Sequence, residues 1–354
     1  MEKLKGGEEM KIAEITLEVI TPMLSFGDNT KKSEFRITEL KSLMRNTFRE
    51  IYSFNDRKDM KEKEDALFGS IEKKSPMSIK IKSIELRGKE TVFMLPHKTV
   101  RPGKKIGEEK AETSCLGSSS EIVLYMITSN DSNIELYINL LIQASIIGSM
   151  GKRSRKGFGS FKITDIVGVK NNKYKDILNK SPIEVLKECD NDSHKIREIQ
   201  YESNGIEKLS FNDPILKKNE LDFPYIKKLN FIKIQEDKKY LDLIYHISEL
   251  THDRLPSKKI EEDFIASISN KGLINRNILG NCRFQSKSIS RFASPICVSF
   301  WENRTDRYMV IKELNYDYIL NKLEIKDAKS KKANEDYIQK YIDELVNKGG
   351  LEDK

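Results

Sequence analysis

The stretch NIELYINLLIQASIIGSMGKRSRKGFGSFKITDIVGV, residues 133–169, decides the fold. Its first half, Asn133 to Ile147, is apolar around most of a helical circumference and predicts a well-buried helix, and Phe161 to Val169 returns to strand-like content. Between them Gly148, Gly151, Gly157 and Gly159 bracket Lys152, Arg153, Arg155 and Lys156. Residues without a Cβ admit positive φ and let backbone amides come close to a phosphate, so this composition suits a nucleic-acid backbone. A nucleotide-binding P-loop is excluded, because Gly151-Lys152 is followed by Arg153 where that chemistry needs Ser or Thr. A dinucleotide fingerprint is excluded too: here the loop leaves a helix and enters a strand, the reverse of what seats a pyrophosphate on a helix N-terminus. The same residues also read as a tight, basic helix-to-strand turn.

Upstream, Lys11 to Pro22 reads as a strand with Ile12, Ile15, Leu17, Val19 and Ile20, stopped by Thr21-Pro22. Phe26-Gly27-Asp28-Asn29 is turn chemistry. Ile37 to Tyr52 carries apolar residues close to the i, i+3, i+4, i+7 template, with Thr38 as the expected N-cap. Met77 to Leu86 predicts a strand with a bulge, Thr91 to Leu95 and Glu121 to Thr128 two more, and Pro96 to Ser120 an exposed insertion. Strand, helix, strands, helix, strand is the split βαβ, or ferredoxin-like, order. The chain is expected to be α+β, with a flexible tail at 1–10, a ferredoxin-like domain at 11–170, a linker region at 171–200 and a second ferredoxin-like domain with a helical C-terminus at 201–354. In that second half, strands are expected at Glu207 to Phe211, Tyr225 to Ile234, Phe292 to Trp301 and Tyr308 to Leu314. Helices are expected at Tyr240 to Leu250, Ile260 to Ile268, Tyr316 to Leu323 and Asn334 to Leu345.

The length of 354 residues allows two domains. The net charge of +8 would mean little if it were spread evenly. From Leu140 to Thr164 there are five cations and no acid, and from Phe264 to Phe300 the same, including Arg283, Lys287 and Arg291. Together they exceed the net charge of the whole chain, so the rest is slightly acidic. Acids are kept out of one window in each half, as a polyanion surface requires, although solvated loops also carry such runs. Cys115, Cys189, Cys282 and Cys297 form no C-x-x-C pair, which argues against a disulfide framework and a structural zinc. No apolar run is long enough to span a membrane, and MEKLKGGEEMK lacks the order of a secretion signal; a cytoplasmic chain without membrane contact is expected.

The G-x5-G-x-G loop (Gly151, Gly157, Gly159) after a buried helix resembles the signature of the RAMP proteins of CRISPR systems, an RNA-binding superfamily of ferredoxin-like, or RRM-like, domains. ITPMLSFGDNTKKSEFRITELKSLMRNTFREIY, residues 20–52, is similar to the opening of the first RAMP subunit of Cmr-type, type III-B, effector complexes. In that family a strand ending Thr-Pro leads to an Arg-containing extended segment, here Phe35-Arg36-Ile37, and then a Lys-x3-Arg-x3-Arg helix, here Lys41, Arg45 and Arg49. Thr47-Phe48 stands where the family usually has a tryptophan pair. RFQSKSISRFASPI, residues 283–296, resembles the family's Arg-x-Ala-Ser-Pro segment. The resemblance implies a non-catalytic RNA-binding subunit of an antiviral ribonucleoprotein, which meets guide or target RNA, or both, and other effector subunits, and helps to capture target RNA near the guide 3′ end. It implies no cofactor.

Taken without the family, Lys41, Arg45 and Arg49 advance by about 40° each on a helix and make one basic stripe, for phosphates or for pairing with Glu39 and Glu50. Phe158 is placed either to stack on a base or to enter the core. His97, among cations after a strand, is the one residue suited to metal-independent cleavage through a 2′-OH, but no partner accompanies it; this keeps open an RNA-processing endoribonuclease of the same fold. His246 and His252-Asp253 lack the further ligands of a metal-dependent phosphohydrolase, and Asp190, Asp192 and His194 read as a solvated linker. No catalytic or metal-binding set is expected.

Overall fold

A computed structural model describes residues 10–94, 111–128, 134–169, 174, 176, 178–189, 198–203, 207–212, 223–250, 293–315 and 328–349. The N-terminal elements are β1 (Lys11–Val19), α1 (Ile37–Ile51), α2 (Arg57–Phe68), β2 (Met77–Glu85), β3 (Thr91–Met94), β4 (Ala111–Ser114), β5 (Glu121–Thr128), α3 (Ile134–Ile147) and β6 (Phe161–Val167). Strands β2-β5-β1-β6 form one sheet in that order, with every pairing antiparallel. Numbered within the unit this is 2-3-1-4, the ferredoxin-like arrangement the element order implies. The bulge expected in β2 falls between Ile81 and Ser83. In β1, Ala13, Ile15, Leu17 and Val19 are buried and alternate with half-buried or exposed neighbours, so one sheet face is covered and the other is open.

Two local expectations are corrected and one element is new. Pro96 to Ser120, expected as an exposed insertion, forms β4 at Ala111–Ser114 and buries Cys115, Leu116 and Ser120. The first helix is capped at Arg36, in extended conformation and with no side-chain cap bond, rather than at Thr38. A second helix follows it where the charged run RKDMKEKEDALF hides a spaced set of buried residues, Met60, Glu64, Leu67 and Phe68. Asp56 caps it by accepting from the Asp59 amide.

The remaining elements are α4 (Pro182–Glu188), β7 (Glu198–Ser203), β8 (Glu207–Asn212), β9 (Tyr225–Lys233), α5 (Tyr240–Leu250), β10 (Ile296–Glu302), β11 (Arg307–Asn315) and α6 (Ala328–Gly349). The second sheet runs β10-β11-β9-β8-β7. Its β9-α5-β10-β11-α6 core has the ferredoxin-like order, and β8, which precedes that core in sequence, takes the sheet position of the fourth strand. Within 171–200, α4 carries a complete capping box on Ser181 and Glu184, and it buries Ile183, Val185 and Leu186 in the main core. The expected helices at Ile260 to Ile268 and Tyr316 to Leu323 lie outside the described residues, as does the tail at 1–9.

The two sheets share one stack of layers. In α3 every residue but Glu135 is buried, because β6 lies on one side of it and β10 and β11 on the other. Strands β10 and β11 are covered on both faces. Cys297, Trp301, Tyr308, Val310 and Leu314 join the core around α1 and α3, while Ile296, Val298, Phe300, Met309 and Ile311 face the core built with α5 and α6. That is a period-2 split of an almost continuous apolar run. Two inner-face positions are polar: Ser299, whose hydroxyl donates to the Ile146 carbonyl of α3 (2.8 Å), and Lys312, which meets Glu50 of α1 at 2.6 Å with both side chains nearly fully buried. Burial opposes the charge, yet Glu50 outweighs it and holds the Lys312 pKa above its ordinary value.

Candidate nucleic-acid interface

The glycine-rich loop joins α3 to β6 and is clamped from both units. From the N-terminal side, the Gly159 amide donates to the Pro22 carbonyl (3.0 Å), the Lys152 amide to Leu24 (2.8 Å), and the Ser160 amide to the Thr21 hydroxyl (2.9 Å). That hydroxyl in turn donates to the Gly157 carbonyl (2.7 Å). From the C-terminal side, β10 is an edge strand, and the loop occupies its edge: the Val298 amide donates to Arg155 (3.0 Å) and the Phe300 amide to the Ser160 hydroxyl (2.9 Å). The loop therefore satisfies backbone groups that an edge would leave open. Three glycines are required, Gly151 among them, with φ +83° and a Cβ that would lie 2.7 Å from the Leu24 carbonyl. Gly159 has φ +74° and a Cβ there would lie 1.9 Å from the Met150 carbonyl oxygen; Gly157 has φ +87° and its Cβ would meet the Phe300 ring at 2.5 Å.

These contacts divide the predicted loop residues. Phe158 is 1% exposed and lies in the core with Phe300, so its ring does not present a face for stacking. The Arg155 guanidinium donates to the Ser294 carbonyl and serves the seam between units. Lys152 is exposed, with its ammonium 4.4 Å from the centre of the Phe26 ring. Arg153, at φ 59°, and Lys156 are half-buried. Burial lowers the Arg153 pKa, and burial together with Arg153 pushes Lys156 down to about 8. Arg36 donates to the Phe26 carbonyl (3.0 Å), which gathers Arg36 and Lys152 around one aromatic residue.

The stripe on α1 is engaged elsewhere. Lys41 donates to the Met77 carbonyl (3.2 Å) and ties the helix to β2; burial, then Arg45, lowers its pKa. Arg45 donates to the Phe68 and Gly69 carbonyls (2.9 and 2.7 Å), closing the C-terminus of α2. Arg49 makes a two-pronged pair with buried Glu64. At 100° per residue, this stripe is centred about 110° around the helix from Glu39, Ser42, Leu43 and Asn46, which face the loop. The two predicted basic features are thus on different sides of α1. Arg283, Lys287 and Arg291, like His97, His252 and the Asp190–Asp192–His194 group, lie outside the described residues. Among the described residues no group of three or more His, Cys, Asp or Glu could hold a metal, and no helix is long and apolar enough to cross a membrane.

The open face of the first sheet mixes signs: Glu14 pairs with Lys82 (2.7 Å), and Lys162 with Glu18 and Glu302 (3.3 and 2.7 Å). It offers no one-signed surface to a polyanion, while the loop carries Lys152, Arg153, Arg155 and Lys156 with no acid among them. Sequence reasoning missed a cavity between α1 and the loop. Its signal was present in Ser42 and Asn46, polar residues at i, i+4 beside the apolar face of the helix.

A ferredoxin-like unit with a clamped glycine-rich loop between its last helix and last strand is the class of domain the geometry defines. Residues 16–162 match the family model of the RAMP superfamily, from within β1 to the start of β6. Among solved structures the chain is similar to Cmr1 from Pyrococcus furiosus in its apo form, at 17% identity over 86% of this chain and 88% of that one, with a TM-score of 0.48. It is also similar to a chain of the type III-B Cmr-beta complex bound to cognate target RNA and AMPPnP in the presence of ssDNA, at 15% identity over 89% and 99%, with a TM-score of 0.49. No curated protein matches it in sequence.

Proposed function

We propose that the chain is an RNA-binding, non-catalytic subunit of a type III-B CRISPR ribonucleoprotein, and that it contributes to capture of target RNA near the guide 3′ end. The observation that carries this reading is the presentation of Lys152, Arg153 and Lys156 on a loop held rigid by both units, within a RAMP domain whose other open face is charge-balanced. Arg36 adds a fourth cation beside the loop. Fixed cations at the edge of a fold bind a phosphate backbone without needing base contacts, and placement within an effector complex supplies sequence through the guide.

The test is recovery of the tagged full-length chain from its native cell, with the associated RNA and proteins sequenced, followed by incubation of the purified chain with labelled single-stranded RNA with and without divalent metal. Guide RNA, neighbouring CRISPR subunits and intact labelled RNA are expected. Discrete cleavage products from the purified chain would replace this reading with that of an endoribonuclease.

A further inference from the structure

A cavity of about 380 Å³ opens between α1 and the glycine-rich loop. Its walls combine apolar Leu43 and Met150 with Ser42, Asn46 and Glu39, and Lys152 lies on the loop side. A carboxylate is out of place on a surface that collects phosphates. Glu39 nonetheless lines this cavity, its Oε1 3.8 Å from the Arg36 guanidinium and its Oε2 buried without a hydrogen-bond partner among the described residues. A buried acceptor left unmade is unfavourable, and a rotation of the part-exposed Glu39 side chain that brings Oε2 to a ligand's N–H donor removes that penalty.

From these residues we infer that the cavity receives one unstacked nucleoside of the bound RNA and that Glu39 reads its base, with guanine preferred. The inference rests on the RNA-binding reading above. A volume of this size accepts a nucleoside. Half-buried Leu43 suits the face of a flat ring, and exposed Lys152 suits the adjoining phosphate. The carboxylate selects among bases by their donors. Guanine alone presents two adjacent donors, N1–H and the N2 amino group, on its Watson–Crick edge. Adenine and cytosine offer one amino group and uracil one imino group. Ser42 and Asn46 are available as donors to the purine O6 and N7 acceptors.

Fluorescence anisotropy of the intact chain with short oligouridines that carry one central guanosine, inosine, adenosine or cytidine tests the assignment. Guanosine is expected to bind about tenfold more tightly than adenosine or cytidine, with inosine, which lacks the N2 amino group, in between. Glu39→Gln should remove the preference and bring the four RNAs to a common affinity, whereas Lys152→Ala should weaken all four alike. Equal binding of all four RNAs by the wild type, or a preference that survives Glu39→Gln, overturns the assignment while leaving RNA binding intact. Loss of all RNA binding in the wild type overturns both. Should Glu39→Gln fold poorly, a single 6-thioguanosine cross-linked to the wild type decides: attachment within 39–46 or 149–154 supports the cavity, and attachment elsewhere contradicts it.

Discussion

Lys156 shows how a single residue can report on ligand binding. Its pKa is pushed down to about 8 by burial and by Arg153, and a phosphate beside it would favour the charged form and raise that value. RNA binding would then take up a proton, so affinity present below pH 8 should be lost as pH rises through the pKa of the bound state. Affinity measured at pH 7 and at about pH 9.5 should fall more for the wild type than for Lys156→Arg, whose charge does not titrate there; an equal fall contradicts this role. Lys312 gives the opposite case. Its raised pKa means that the stability from its pairing with Glu50 is complete below the ordinary lysine value of 10.5 and is lost only above it. Removing one partner, as in Lys312→Met, should cost about 3–5 kcal/mol in denaturant unfolding, and adding Glu50→Gln should recover part of that loss. Gly157 and Gly159 were legible in the sequence as residues the loop needs. Phe158 was not, because an aromatic between two glycines satisfies a core position and a stacking position equally well until Phe300, far along the chain, is placed against it.

Among the elements, those with strong periodicity were readable almost residue for residue: α1, α3 and β5 lie within a residue of their expected ends. Helix α2 escaped because its buried positions include Glu64, a charged residue whose burial is explained only by Arg49 on another helix. The same pairing explains why the α1 stripe is legible as basic but not as structural: helical spacing gives the direction of a side chain and says nothing of what lies there. Arg45→Ala should therefore act mainly on the fold. It uncaps α2 at Phe68 and Gly69, and a loss of about 1–3 kcal/mol with little change in RNA affinity per folded molecule is expected. A large drop in affinity at full stability would return the stripe to the RNA surface.

At the scale of the whole molecule, the two ferredoxin-like units were legible as a repeated order of strands and helices, but their union was not. Pairings such as Glu50 with Lys312 and Val298 with Arg155 span too much sequence for any local pattern to announce them. With α3 buried between the sheets and β10 edged by the loop, neither half keeps a complete core alone. Denaturant unfolding followed by tryptophan fluorescence at Trp301 and by far-UV circular dichroism should give coincident, single transitions, and separated transitions would mean that the units fold independently. That union also places Lys152, Arg153 and Lys156 on a loop with no freedom to retreat. The most direct test of the account is the salt dependence of RNA binding by the full chain and by the variant in which all three are replaced with Ala. Each lost phosphate contact should reduce the slope of log K against log salt by about 0.7, so the account predicts a markedly weaker and flatter dependence, by about 2 in slope, for every RNA sequence tried. An unchanged slope and affinity in a variant that melts like the wild type would contradict it.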